Sequence, residues 1–396
     1  MTPLGQAEQA ALGAVFLDPG QLDHLSSWLQ PDHFSRPTHE ALYAAMLKLR
    51  ADGHPATTTD TGEPVPLTWL TDTVQEASTH VRGLTASYAH ALVAACPRPV
   101  HAPVYGRMVL EGAIHRSVAQ YATRLHQAAR ADGIRGGVEE TLHHAQILSD
   151  ILTDLAHRWG TKPRPMQPPA PSAPSARQPQ PVDEEILADE VFLLGCLSMR
   201  PDQLRDVVEW LHPDDFADAS HQHVYRSLGA LHHRGEPIDP LTVLWETQRR
   251  GALADGTLDT ERVLRICDPQ AYSGSAEYFG ERLVKASLVR TAAASAREVR
   301  ALADAEHLAP GRLIGYALNA LGPLDDVRRR WRTASQGEAK PLRPADRPGQ
   351  SPPAARIDAA RSRSRHQLTT ATPAATAEPA ASCPTAPARG HRRSRL

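Results

Sequence analysis

Of the 20 histidines in the chain, His39 and His221 recur in one local frame, HEALY and HQHVY, where an imidazole can act as a metal ligand or an acid–base group. The expectation is plainer: a histidine hydrogen-bonded to backbone at the start of a helix. The pairs His143–His144 and His232–His233 point apart on any helix, and no Cys or Asp cluster stands at ligand spacing, so no metal is expected. Asp and Glu are plentiful, yet no two read as a frame that recurs with a base or nucleophile, and no Ser, His and Asp order carries a motif. A P-loop needs a glycine followed by a lysine, so that amides cradle the phosphates while the amine reaches them. Lys48, Lys162, Lys285 and Lys340 follow Leu, Thr, Val and Ala, so no P-loop exists in the chain, and neither a cofactor nor catalysis is expected.

Arginine is the remaining chemistry. Arg361, Arg363, Arg365, Arg389, Arg392, Arg393 and Arg395 lie in a Pro-, Ala- and Ser-rich tail able to neutralise nucleic-acid phosphates. No aromatics are interleaved for stacking, so such DNA contact is expected to be salt-sensitive and sequence-blind. A merely solvating tail fits the same composition. From Thr333 onward, 11 Lys plus Arg stand against 4 Asp plus Glu, within a formal net charge of −2 for the whole chain. The basic character lives in the tail.

The elements that position these residues come twice. The segment from Trp28 to Pro55, WLQPDHFSRPTHEALYAAMLKLRADGHP, returns at Trp210 to Pro237 as WLHPDDFADASHQHVYRSLGALHHRGEP. An offset of 182 pairs Gly13, Pro19, Gln21, Leu22, Trp28, Leu29, Pro31, Asp32, Phe34, His39, Tyr43, Leu49, Gly53 and Pro55 with identical residues. Leu67, Thr68 and Leu70 then meet Leu241, Thr242 and Leu244 at offset 174, so the first copy carries a loop insertion of eight residues. Leu152, Asp154, Arg158, Trp159 and Thr161 meet Leu324, Asp326, Arg330, Trp331 and Thr333 at offset 172. A unit of this size is a whole domain rather than a solenoid repeat.

Each unit reads as helices punctuated by proline and glycine. Helix two starts at Pro19 or Pro201. Helix three carries Leu42, Tyr43, Met46 and Leu49, or Val224, Tyr225, Leu228 and Leu231, and stops at Gly53 or Gly235. Asp239 before Pro240 caps the next helix, with Leu241 and Leu244 expected to face inward. Ile114, Val118, Tyr121 and Leu125 form the seam of a long helix over about residues 104–130, and Leu148, Ile151, Leu152 and Leu155 offer its partner face. In the second copy Leu313, Ala317, Leu321 and Leu324 face smaller residues, Ala292 to Ser295. Trp159 and Trp331 are partner-binding anchors or packed helix termini. The fold class is therefore all-α: two tandem helical domains, 1–159 and 183–333, each a small globule ending in a long helical hairpin. A Pro-rich linker of 160–182 joins them, and a disordered tail covers 334–396.

No run of eighteen apolar residues and no signal-peptide pattern is present, so no membrane is expected and the cytoplasm is. The dispersed Cys96, Cys196, Cys267 and Cys383 support neither a disulfide framework nor a zinc ribbon.

The order AEQAALGAVFLD at Ala7 to Asp18, then Phe34, His39, Tyr43, Leu49, Gly53 and Pro55, then Tyr105, Val109, Glu111 and Arg116, resembles the N-terminal domain of DnaB-type replicative DNA helicases. The second copy is similar through Phe216, His221, Tyr225, Gly235 and the run from Pro237 to Thr242, with Phe279, Val284 and Arg290 near its hairpin. Phe279 replaces the hairpin tyrosine and Lys285 its glutamate. The resemblance implies hairpins that pair into dimers, a collar of three dimers, and contact with primase or with the helicase ring. In that family a RecA-like ATPase motor lies C-terminal to this domain, and with no glycine–lysine pair none is expected in this chain. Expected partners are accordingly a replicative helicase or primase, or further copies of the chain through the hairpins. Tyr105, Glu111 and Arg116, and then Phe279, Lys285 and Arg290, are the candidate contact residues. The alternatives are a helicase subunit whose ATPase sits on another chain, and a single-stranded DNA tether acting through the tail.

Overall fold

In the computed structural model, which describes residues 2–58, 68–168, 184–254, 256, 258–267 and 274–336, helix α1 (Pro3–Leu17) starts where Thr2 Oγ1 accepts the Gly5 amide. Asp18 ends it and caps the next turn by accepting the Gly20 amide at 3.1 Å. The expected helix at Pro19 is first a 3-10 turn, Pro19–Gln21, and then α2 (Leu22–Leu25). The chain continues through α3 (Pro37–Ala51), α4 (Pro55–Thr58), α5 (Thr68–Ser78) and α6 (Ala86–Ala95). The first hairpin follows as α7 (Ala102–Arg135) and α8 (Glu139–Trp159). At 34 residues α7 is about 50 Å long, longer than its apolar seam alone marks.

The second copy repeats this order, without a counterpart of α4 among the described residues, as α9 (Glu184–Met199), α10 (Leu204–Val207), α11 (Ala219–Arg234), α12 (Pro240–Arg249) and α13 (Thr260–Ile266). Its hairpin is α14 (Ala276–Asp304) and α15 (Pro310–Gln336). The described part of α15 runs to Gln336, past the boundary at Thr333. Among the described residues there is no strand. Helices α3 and α11 stop as expected, Gly53 at φ 76° and Gly235 at φ 67°.

The two cores are built from equivalent positions. Leu12, Val15, Leu22, Leu25, Leu29, Leu42, Met46 and Trp69 are buried, and so are Leu194, Leu197, Leu204, Val207, Leu211, Val224, Leu228 and Val243, their counterparts in the repeat. The pair Trp69 and Val243 corrects the register expected of α12. Asp239 does cap that helix, accepting the Leu241 and Thr242 amides at 2.9 Å, but Leu241 is 70% exposed and Trp245 63% exposed, while Val243 and Thr247 face inward. A cap fixes where a helix begins and leaves open which stripe is buried.

Two close approaches fasten the globules to their hairpins. An added Cβ on Gly106 of α7 would stand 2.7 Å from Leu25 and 3.0 Å from Trp28, and one on Gly280 of α14 would stand 2.7 Å from the Trp210 ring. The indole of each tryptophan donates to a carbonyl one turn back, Trp28 to His24 and Trp210 to Asp206, both at 2.8 Å. Both tryptophans therefore pack against their hairpins.

The described residues form one compact unit. Of the Pro-rich segment, 161–168 is described and has no helix; the Met166 amide donates to the Gly315 carbonyl of α15 at 2.8 Å. The rest of that segment lies outside the described residues, as do tail residues Arg361, Arg363, Arg365, Arg389, Arg392, Arg393 and Arg395. No described helix is long and apolar enough to cross a membrane.

Candidate functional site

The recurring histidines do not bond to backbone. His39 places Nδ1 2.7 Å from Glu8 Oε2 and Nε2 2.7 Å from the Tyr88 hydroxyl, inside the first globule, with both Glu8 and His39 fully buried. A carboxylate only accepts, so Nδ1 donates to Glu8, while Nε2 and the tyrosine hydroxyl share the second bond. The Ser35 amide fills the other Glu8 oxygen at 2.6 Å. Burial works against ionising Glu8, but the bonds from His39 and Ser35 outweigh it and hold the carboxyl below its ordinary range. In the second globule Glu190 accepts from His221 Nδ1 at 2.6 Å and from the Ala217 amide. This corrects the expectation that no acid recurs with a base. Glu8 and Glu190 obey the 182 offset, 31 residues before their histidines. The signal was present. It joins α1 to α3 and α6, is closed to substrate, and holds the fold.

The hairpin candidates divide into those that fix the hairpin to its globule and those that are half-buried without such a tie. Arg116 of α7 donates through Nη2 to the His33 carbonyl at 2.6 Å, and Arg290 of α14 does the same to the Asp215 carbonyl at 2.6 Å. Each arginine thus ties its hairpin to the 3-10 turn before helix three. Phe279 is buried and stacked on Phe192, centroids 5.5 Å apart. Its counterpart Tyr105 lies instead beside an open groove of about 760 Å³ with Pro3, Ala7, Ala10 and Met108, because Ala10 stands where the second copy has Phe192. Glu111 and Lys285 are half-buried.

The structure brings the two hairpins together within one chain. Helix α7 packs on α14 more extensively than any other described pair. His115 of α7 places Nδ1 2.8 Å from the Ala303 carbonyl and Nε2 3.0 Å from that of Leu308; Thr123 accepts from Arg300 at 2.7 Å; Gly133 lies against Val289. Rising numbers on α7 meet falling numbers on α14, so the helices are antiparallel. The contact is also self-complementary. Val289 is the counterpart of His115, and Gly133 that of His307, so equivalent residues meet equivalent residues about a pseudo-two-fold axis, the signature of an isologous dimer interface. Sequence spacing supplied the helices and not this pairing. Trp159 is half-buried, with the Arg107 guanidinium 4.4 Å above its ring and Gly311 of α15 close by.

The pattern described as "DnaB-like helicase N terminal domain" matches residues 4–111 and again 182–279, together more than half of the chain. The chain belongs to the DnaB-like helicase N-terminal domain family. Among curated proteins it is 36% identical over 124 residues to the replicative DNA helicase DnaB of Geobacillus stearothermophilus, covering 31% of this chain and 25% of that protein. It is 34% identical over 158 residues to the replicative DNA helicase DnaC of Bacillus subtilis (strain 168), covering 39% and 31%. Against the replicative DNA helicase DnaB of Mycobacterium leprae (strain TN) it is 40% identical over 103 residues, covering 26% and 15%. The chain thus spans less than a third of the length of these relatives. No solved structure gives a significant match. Both matches to the DnaB-like N-terminal domain begin in the first helix of a globule, α1 or just before α9, and stop inside the first arm of a hairpin, α7 or α14.

Proposed function

We propose that this chain is a non-catalytic, replication-associated interaction protein of the cytoplasm: a covalent pair of helicase-collar domains that binds a replicative helicase or primase, or assembles with further copies of itself. The observation that carries the proposal is the pseudo-symmetric pairing of α7 with α14 in a single chain, where a collar otherwise takes two. Joining the two halves in one chain replaces a bimolecular step with an intramolecular one. The absence of any glycine–lysine pair in the sequence supports a role without ATP hydrolysis of its own. The half-buried Glu111 and Lys285, with Tyr105 at its groove, are the proposed contact residues; Arg116, Phe279 and Arg290 act by fixing the hairpin to its globule.

A pull-down with the full chain from nuclease-treated extract of its host, with partners identified by mass spectrometry, tests this directly. Recovery of primase or replicative helicase, reduced about tenfold by Glu111→Lys, is the expected result. Recovery of neither, in an experiment where the chain also fails to self-assemble, contradicts the proposal.

A further inference from the structure

The two copies differ where the end of each hairpin returns to its globule. In the second copy this corner is neutralised from within. Arg330, with a side chain only 11% exposed, donates to the Asp215 carboxylate and to the Trp210 carbonyl, and Ser287 donates to the same carboxylate at 2.7 Å. Glu281 of α14 holds the position that Arg107 holds in the first copy.

The first copy exchanges both acids and the serine. His33 stands for Asp215, Ala113 for Ser287 and Arg107 for Glu281. Arg158, the counterpart of Arg330, has lost its internal acid; it is 53% exposed and pairs only with Asp154 on its own helix at 2.9 Å. Arg107 is exposed, lies on the Trp159 ring, and makes no hydrogen bond or ion pair among the described residues. What opens is a cavity of about 300 Å³ lined by Trp28, Pro103, Arg107, Leu110, Arg158 and Trp159.

We propose that this corner is a nucleotide site. Two indoles line the cavity, and aromatic side chains stack on bases without regard to sequence. Arg107 and Arg158 set two guanidiniums at the mouth, where forked N–H donors match phosphate oxygens. Arg107 is already flattened on an aromatic face, so its fork is pre-organised. The volume, at the lower bound of about 300 Å³ for ligand cavities, suits a single nucleotide rather than a folded nucleic acid. The chemistry is shared by a free mononucleotide and by one residue of a single strand. The second copy carries Asp215 and Glu281 in place of His33 and Arg107, which disfavours a phosphate there.

The test uses the full chain labelled with ¹⁵N, following the indole N–H signals of the six tryptophans. Addition of dTMP is expected to move the Trp28 and Trp159 signals and leave Trp210 and Trp245 in place. Arg107→Glu, which installs the residue of the second copy on an exposed site, should weaken the response at least tenfold, and Arg107→Gln by several-fold. A ten-nucleotide oligo(dT) that binds tighter than dTMP, with the same two signals moving, identifies a strand as the source; equal affinity identifies the free nucleotide. Inorganic phosphate moving both signals as strongly as dTMP, no response to 10 mM dTMP, or an unaltered response in both Arg107 variants would each overturn the proposal.

Discussion

A carboxylate shut away from water survives only when its oxygens are filled, and Glu8 is filled by the Ser35 amide and by His39. Removing one partner is therefore costly. His39→Ala leaves a buried charge without its donor and is expected to lower unfolding stability by about 3 kcal/mol or more, whereas Glu8→Gln, which keeps the shape and one acceptor, should cost about 2 kcal/mol. Urea denaturation of each variant checks both. The sign of the pH dependence follows from the carboxyl being held below its ordinary value of 4.5 in the folded state. Its contribution is complete at higher pH and is lost as pH falls below about 5 through the folded value. The Glu8→Gln chain should accordingly lose less stability than the parent on acidification, and an identical acid profile would show that the carboxylate is not ionised in the fold. Arg116 and Arg290 tell a related story one layer out. Each gives a charged donor to a backbone carbonyl, so Arg116→Ala should cost about 2 kcal/mol and loosen the hairpin at its root.

At the scale of helices, what holds the architecture is close approach as much as apolar area. A methyl on Gly13 would stand 2.1 Å from the Leu92 carbonyl oxygen, and one on Gly280 would stand 2.7 Å from the Trp210 ring. Overpacking of this kind costs about 1–3 kcal/mol. Gly13→Ala belongs at the upper end because a helix backbone must move, and Gly280→Ala in the middle because a ring can tilt; denaturation midpoints give the order. Helix α12 provides a separate check. Val243→Ala should destabilise by about 2 kcal/mol and Leu241→Glu by less than about 0.5 kcal/mol, the reverse of what the leucine spacing suggests. Much of this scale was legible in the sequence. Pro19, Gly53, Gly235 and Asp239 mark helix ends by local backbone chemistry, and they stand where the structure uses them. The inward stripe of α12 was not legible, because a helix with leucine, valine and tryptophan on two faces leaves the buried face to tertiary packing. Glu8 and Glu190 were hidden differently. An acid inside an apolar helix reads as a surface residue until the histidine 31 positions away is known to fold onto it.

At the scale of the molecule, two copies of one fold become a single unit because α7 lies antiparallel on α14. Small side chains on both helices, Ala122, Ala129, Ala292 and Ala296 among them, are buried. Residue spacing predicts two hairpins and is silent on whether they meet within a chain or between chains, since an isologous interface looks alike in both. The most direct measurement is a cross-link at that interface. Gly133 and Val289 face each other, with an added Cβ 3.5 Å from Val289 Cγ1, which brings cysteines there within disulfide reach. The Gly133→Cys/Val289→Cys chain, prepared as an equal mixture of ¹⁴N and ¹⁵N material and oxidised, would be digested and the linked peptides weighed. Pairing within one chain predicts linked peptides of a single isotope only, at every protein concentration. Mixed-isotope peptides, or no link between the two positions, would contradict it.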